Sequence, residues 1–200
     1  MAMSYEGISR SIIEVLGLMN DSPRYDPEGR LLDAVRSAER ATVQLRNLTS
    51  RALRNETKSL DSAIVEALDI KVEKAYSWYK ITVPAILPKR HSNEGASYIT
   101  RPLRSALVQF QRKNLVERFE HCTICIVHCY DEALGLRRVR DYDNIETKRY
   151  LDVIESVMLI NDSGLLCDVY QTTRTADRDC TEFYLMAPEK FQTWLIRHGK

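Results

Sequence analysis

Glycine is scarce in this chain. Seven glycines in 200 residues, none of them clustered, leave no glycine-rich loop to cradle a phosphate and no dinucleotide-binding turn. Uninterrupted apolar runs long enough to cross a bilayer are also missing. Residues 1–20 lack the basic-then-apolar order of a secretory signal, because Glu6, Arg10 and Glu14 interrupt the apolar positions. A cytoplasmic protein with no membrane partner is the expectation. Excess charge of one sign is lacking as well. Twenty-nine Lys and Arg against 28 Asp and Glu give a formal net charge of +1. Nothing draws the whole molecule to nucleic acid, so any such binding rests on local patches. No serine or cysteine nucleophile has an evident His/Asp partner pattern.

The five cysteines are an odd number without the spacing of a disulfide scaffold, and free thiols are expected. The run from His121 to Cys129 gathers Cys122, Cys125 and Cys129 with His121 and His128, the residue types of a zinc site. Its texture is that of a strand, however. Residues three apart on a strand face opposite sides, so Cys122 and Cys125 do not converge on one ion. Small buried apolar cysteines are expected instead of zinc ligands.

What the chain does carry is periodicity. Ile8, Ile12, Val15, Leu16 and Met19 predict a helix over 4–19, broken by Asn20-Asp21-Ser22-Pro23. Asp26-Pro27 has the form of an N-cap with proline at the first helical position. A long helix is expected from there to about residue 55, with a thin stripe of Leu31, Val35, Ala38, Leu45, Leu48, Ala52 and Leu53. A third is expected over 60–75, where Leu60, Ile64, Ala67, Leu68 and Val72 recur. So narrow a stripe suits a helical hairpin or coiled-coil-like region with a surface for a protein partner. From Ser77 the texture alternates. A strand is predicted over Trp78–Pro84, a helix over 99–113 and a strand over 121–130. A helix over about 144–158, a strand near 165–173 and a turn at Ala176–Asp179 follow. A strand over 180–186 and a short helix over Pro188–Arg197 end the series. The fold class is α/β (α+β): a mixed sheet with flanking helices over residues 76–200, preceded by a helical region over 1–75.

The chemistry-bearing residues gather where the 121–130 strand gives way to the next helix. Asp141 and Asp143 stand two apart. Asp143-Asn144-Ile145-Glu146 is also a helix-start signal, so Asp143 can be a cap and a ligand at once. Asp141 has no evident capping task. Lys148 is expected near the apolar stripe of the helix, snorkelling toward the sheet end. Asp162 lies in the turn Asn161-Asp162-Ser163-Gly164. Magnesium takes oxygen ligands and keeps several waters, so two or three carboxylates suffice to hold it. Arg137, Arg138, Arg140 and Arg149 lie beside them and suit phosphate contacts. Each of these residues also has an ordinary reading as cap, rim charge, turn or solvated face.

At these residues the chain resembles the RusA-type Holliday junction resolvases, over about residues 77–187. The likeness rests on Asp141-Tyr142-Asp143-Asn144 at a helix start, Lys148 and Asp152 on the helix, and Asn161-Asp162 in the turn beyond. It implies a RusA-like α/β domain and a homodimer that resolves branched, four-way DNA by magnesium-dependent (or manganese-dependent) phosphodiester hydrolysis. Asp141, Asp143 and Asp162 would hold the metal, with Lys148 assisting at the phosphate. Asn161 stands where the family has an acidic turn residue, and Lys148 comes one position later than its lysine. These departures define the alternative: a catalytically inactive DNA- or protein-binding module on the same scaffold.

Overall fold

The computed structural model describes residues 12–14, 16–17, 33–35, 37–38, 41–42, 45, 64–90, 96–161 and 163–198. The chain divides into two units, Met1–Leu60 and Asp61–Lys200. In the first, every described residue is helical, which agrees with the two predicted helices. The proposed break at 20–23 and the Asp26-Pro27 cap lie outside the described residues. The buried face there differs from the expected stripe. Val35, Ala38 and Leu45 are exposed, while Ala34, Ser37 and Ala41 are buried. These three are small residues at helical spacing, which lets backbone approach closely.

The second unit holds a five-stranded mixed sheet in the order β1-β2-β5-β3-β4. The strands are β1 (Lys71–Ala75), β2 (Trp78–Val83), β3 (Cys122–Asp131), β4 (Cys167–Ala176) and β5 (Cys180–Met186). Its helices are α1 (Ala96–Asn114), α2 (Lys148–Met158) and α3 (Phe191–His198). All neighbours are antiparallel except β3 and β4, which run parallel. Parallel strands need a long crossover, and residues 132–166 with α2 supply it.

Alternation along the central strands builds two cores. Ile124 and Ile126 of β3, Phe183 and Leu185 of β5, and Ile81 and Val83 of β2 pack with Leu103 and Leu107 of α1 and Tyr150 and Ile154 of α2. The opposite parity, Cys125, Val127, Tyr184, Met186 and Trp78, packs with Trp194 of α3. Residues 122–130 of β3 are consequently buried without a break. A strand covered on both faces reads as a continuous apolar run rather than an alternating one. Cys122 and Cys125 do fall in different cores, as their spacing predicts.

Two elements differ from expectation. The helix predicted over 60–75 is helical in its described part only at 64–67, then turns at 68–69 and becomes β1. Asp69 adopts φ 51° and Tyr76 φ 59°. The first turns the chain out of the helix. The second opens the two-residue hairpin between Ala75 and its partner Trp78. The charged sequence of β1 suits a sheet edge, where lysine is common, and disguised the strand. The helix predicted to begin at 144 starts instead at Lys148, after a 3-10 turn over Tyr142–Asn144. Ile145 is taken out of that helix because it pairs antiparallel with Lys89 as an isolated bridge.

Candidate functional site: a charged cleft at the start of α2

That bridge builds the site. Arg90 donates its N–H to the Asn144 carbonyl at 2.9 Å, and Glu146 donates to the Pro88 carbonyl at 2.9 Å. Residues 88–90 are thereby fixed against 144–146. Ile145, 2% exposed, points into the α1/α2 core and anchors the pairing. Next to it the 3-10 turn is closed by Asn144 N–H on the Asp141 carbonyl at 3.0 Å and Ile145 N–H on the Tyr142 carbonyl at 3.2 Å. The Thr173 hydroxyl of β4 donates to the Tyr142 hydroxyl at 3.2 Å.

The result is an open cleft of about 290 Å³, lined in part by Arg90, Tyr142, Asp143, Glu146, Lys148 and Gln171. It therefore brings together two of the sequence-predicted residues, Asp143 and Lys148. Arg90 and Glu146 join them through the 88–90 pairing. Gln171 reaches the cleft from β4. Behind the cleft lies His128, fully buried, with its ring 5.8 Å from that of Tyr142. Burial holds its pKa below the ordinary imidazole value, an effect the Gln171 amide partly offsets. The imidazole is neutral at pH 7.

The other predicted residues are distributed differently. Asp141 is exposed just before the turn, with no side-chain capping bond and outside the cleft lining. Asp143 is not the cap of α2. Thr147 holds that position, without a side-chain bond. Lys148 does not snorkel along the core, because the later helix start puts it at the first helical residue. Its side chain is 80% exposed, and Nζ pairs with Asp152 at 2.9 Å. Asp162 lies outside the described residues.

The arginines divide into two kinds. Arg138 is engaged by both oxygens of Asp179 and by the Asp131 carbonyl, with its guanidinium over the Tyr130 ring. Arg140 donates to the Leu87 carbonyl at 2.7 Å. These two hold the loop that leads to the cleft. Arg137 and Arg149 are exposed.

Among the described residues, Asp141 and Asp143 belong to no set of three converging metal-type ligands. The donors that line the cleft, the carboxylates of Asp143 and Glu146, are hard oxygen ligands. Magnesium binds through one or two carboxylates together with substrate phosphate and water, so this donor set fits it. Arg90 and Lys148 line the same cleft and would balance the charge of a phosphate.

A second polar cluster lies in the α3 core, marked in the sequence only by Cys129. Glu182 of β5, about 5% exposed, accepts from Lys80 at 2.9 Å, Arg174 at 2.8 Å and the Tyr184 hydroxyl at 2.7 Å. Burial alone would raise its pKa. These three partners outweigh it and hold the carboxyl below its usual range. Arg174 Nε also donates to Cys129 Sγ at 3.2 Å.

The chain belongs to a family of unknown function (DUF6100), matched over residues 14–200. No curated protein matches it. Among solved structures it is similar to the periplasmic domain of MotB from Helicobacter pylori, at 12% identity and a TM-score of 0.34. That match covers 66% of this chain and 90% of the other, a likeness too slight to assign a fold or a role. Among the described residues, no helix is long and apolar enough to cross a membrane.

Proposed function

We propose that the chain is a magnesium-dependent, structure-selective DNA endonuclease of RusA-like type. It would work in the cytoplasm as a homodimer on branched DNA, with the cleft at the start of α2 as its phosphodiester site. One observation supports this above the others: a single cleft holds the carboxylates of Asp143 and Glu146 beside the cations Arg90 and Lys148. A bare phosphate site has no use for two carboxylates, and a bare metal site has none for two cations. A phosphate and a metal together use both.

Asp143 and Glu146 would hold the ion, with Asp141 and Asp162 as further carboxylates nearby in sequence. When bound, magnesium supplies polarisation of the phosphate and a more acidic water. Arg90 and Lys148 offset charge on the phosphate oxygens, as does the N-terminus of α2, whose dipole favours an anion. Tyr142 and the Ile145 anchor keep the turn, and with it Asp143, in place.

The test is cleavage of labelled four-way junctions by the purified chain, with linear duplex as control and Mg²⁺ against EDTA. Junction-selective, Mg²⁺-dependent cutting is expected. Asp143→Asn should slow it at least ~100-fold while junction binding persists. Lys148→Gln should weaken binding and reduce its salt slope by about one. If Asp143→Asn cuts as well as the wild type, the site is misassigned.

A second reading has its own support. The Lys148 ammonium is held by Asp152, the arrangement of a surface ion pair rather than of a group directed at substrate. A non-catalytic DNA- or protein-binding module would give junction binding that survives EDTA, with no cutting under Mg²⁺ or Mn²⁺.

A further inference from the structure

Cys129 of β3 and Cys180 of β5 are direct register partners across an antiparallel ladder. Their sulfurs and a Glu182 oxygen all lie within 4.8 Å of one another. We propose that Cys129 and Cys180 form a redox-active dithiol, a modification site that hydroperoxides convert to a cross-strand disulfide.

The backbone is already set for the bond. Facing residues on antiparallel strands have Cα atoms about 4.5–5.5 Å apart, inside the roughly 4.4–6.8 Å span of disulfide-linked residues. Side-chain rotation closes the remaining gap. The two thiols are unequal. A hydrogen bond with Cys180 and another from Arg174 hold the Cys129 thiol below its ordinary pKa against the opposing effect of burial, while Cys180 is pushed up and keeps its proton. The thiol of lowered pKa thus faces one protonated resolving thiol, beside a cation, an arrangement that favours the thiolate at Cys129. Cys129 is fully buried, but the Arg174 side chain bonded to it is 46% exposed and Cys180 is 5% exposed. Hydrogen peroxide, the smallest hydroperoxide, is the oxidant that a pair this buried would admit.

The chemistry balances. The Cys129 thiolate attacks one peroxide oxygen, an S–O bond forms and the O–O bond breaks. The departing alkoxide or hydroxide takes a proton from solvent. The Cys180 sulfur then attacks the Cys129 sulfenic sulfur, the S–S bond forms, and hydroxide leaves with the Cys180 proton as water. Two thiols lose two electrons, and the hydroperoxide is reduced to an alcohol (or water) and water.

The same trio has the spacing of a soft-metal site, but its charges oppose one. Glu182 is already satisfied by Lys80, Arg174 and Tyr184, and two cations beside the thiols repel a dication. The sheet also contains its own control. Cys122 and Cys167 are register partners too, on β3 and β4. They sit at the apolar core beside Glu155 rather than an arginine, and burial pushes the Cys122 thiol up to about 12. It stays protonated and unreactive.

The experiment uses the reduced full-length chain treated with hydrogen peroxide, then alkylated in denaturant and mapped by mass spectrometry. The thiol count should fall from five by two, with one linked peptide containing Cys129 and Cys180, and dithiothreitol should restore both. Cys180→Ser should leave a sulfenic acid on Cys129 that dimedone traps, with no linked peptide. Arg174→Gln should slow oxidation roughly tenfold at neutral pH, with the rate recovering as pH rises, because the thiolate fraction sets it. The proposal is overturned if both thiols remain fully alkylatable or if Cys122 and Cys167 link instead. One equivalent of bound zinc that protects Cys129 and Cys180 overturns it as well.

Discussion

Glu182 is the residue on which the α3 core's polar cluster turns. Replacing it with glutamine leaves Lys80 and Arg174 without their shared anion. Breaking a buried ion pair costs about 3–5 kcal/mol. Because Lys80 and Arg174 are 24% and 46% exposed, solvent recovers part of this, and about 2–3 kcal/mol is expected for Glu182→Gln by urea unfolding. The pH dependence has a definite sign. The folded carboxyl titrates below its unfolded value, so its stabilisation is complete above an unfolded pKa of about 4.3 and fades as pH falls through the lower folded value. The difference in melting temperature between wild type and Glu182→Gln should be full at neutral pH and shrink only in acid. A difference that shrinks between pH 6 and 8 would point to another group. Nothing in the sequence marks this residue. A glutamate in a strand reads as solvent-facing, and of its partners Lys80 lies far away in the chain on β2, while Arg174 on β4 meets it only through the pairing of the sheet.

Among the elements, α3 shows how a short helix can close a core. At eight residues it is too short to persist alone in water, so packing holds it. Trp194 is fully buried, stacked with Phe191 and His198 and in edge contact with Tyr184 and Tyr170. Trp194→Ala should cost about 3–5 kcal/mol. Trp194→Phe should cost less than that, since it also removes the buried, unpaired indole N–H. Equal losses for the two variants in thermal unfolding would mean that the ring's area is not what holds the helix. Elements of this kind were legible: β3, β5, α1 and α3 follow from apolar runs and spacing within a residue or a few. The start of α2 was not, because Asp143-Asn144-Ile145-Glu146 carries a valid local capping signal that the distant Lys89 bridge overrides. The candidate site inherited the same limit. Asp143 and Lys148 were visible in sequence, whereas Arg90 and Gln171 reach the cleft only through tertiary pairing.

At the scale of the whole molecule, both cores lie within Asp61–Lys200. A fragment of residues 61–200 should therefore unfold cooperatively with native-like circular dichroism, and a fragment that starts at 76 should not. The latter lacks β1 and with it the hairpin partner of β2. If the 76–200 fragment proves as stable as 61–200, β1 is dispensable to the sheet. Sizing the longer fragment against the full chain also tells whether the first 60 residues set the oligomeric state. The central position of β5 has one more consequence, for synthesis. It is the last strand of this sheet to be made, yet it joins β2 to β3, so until residue 186 has left the ribosome the nascent chain holds two unconnected half-sheets with apolar strand edges open. Pairing β2 with β5 spans about a hundred residues of chain, the kind of non-local closure that slows folding and invites aggregation. A premature stop before β5 would leave not a smaller fold but two exposed remnants, the β1-β2 hairpin and the parallel β3-β4 pair, for the cell's chaperones and proteases to clear.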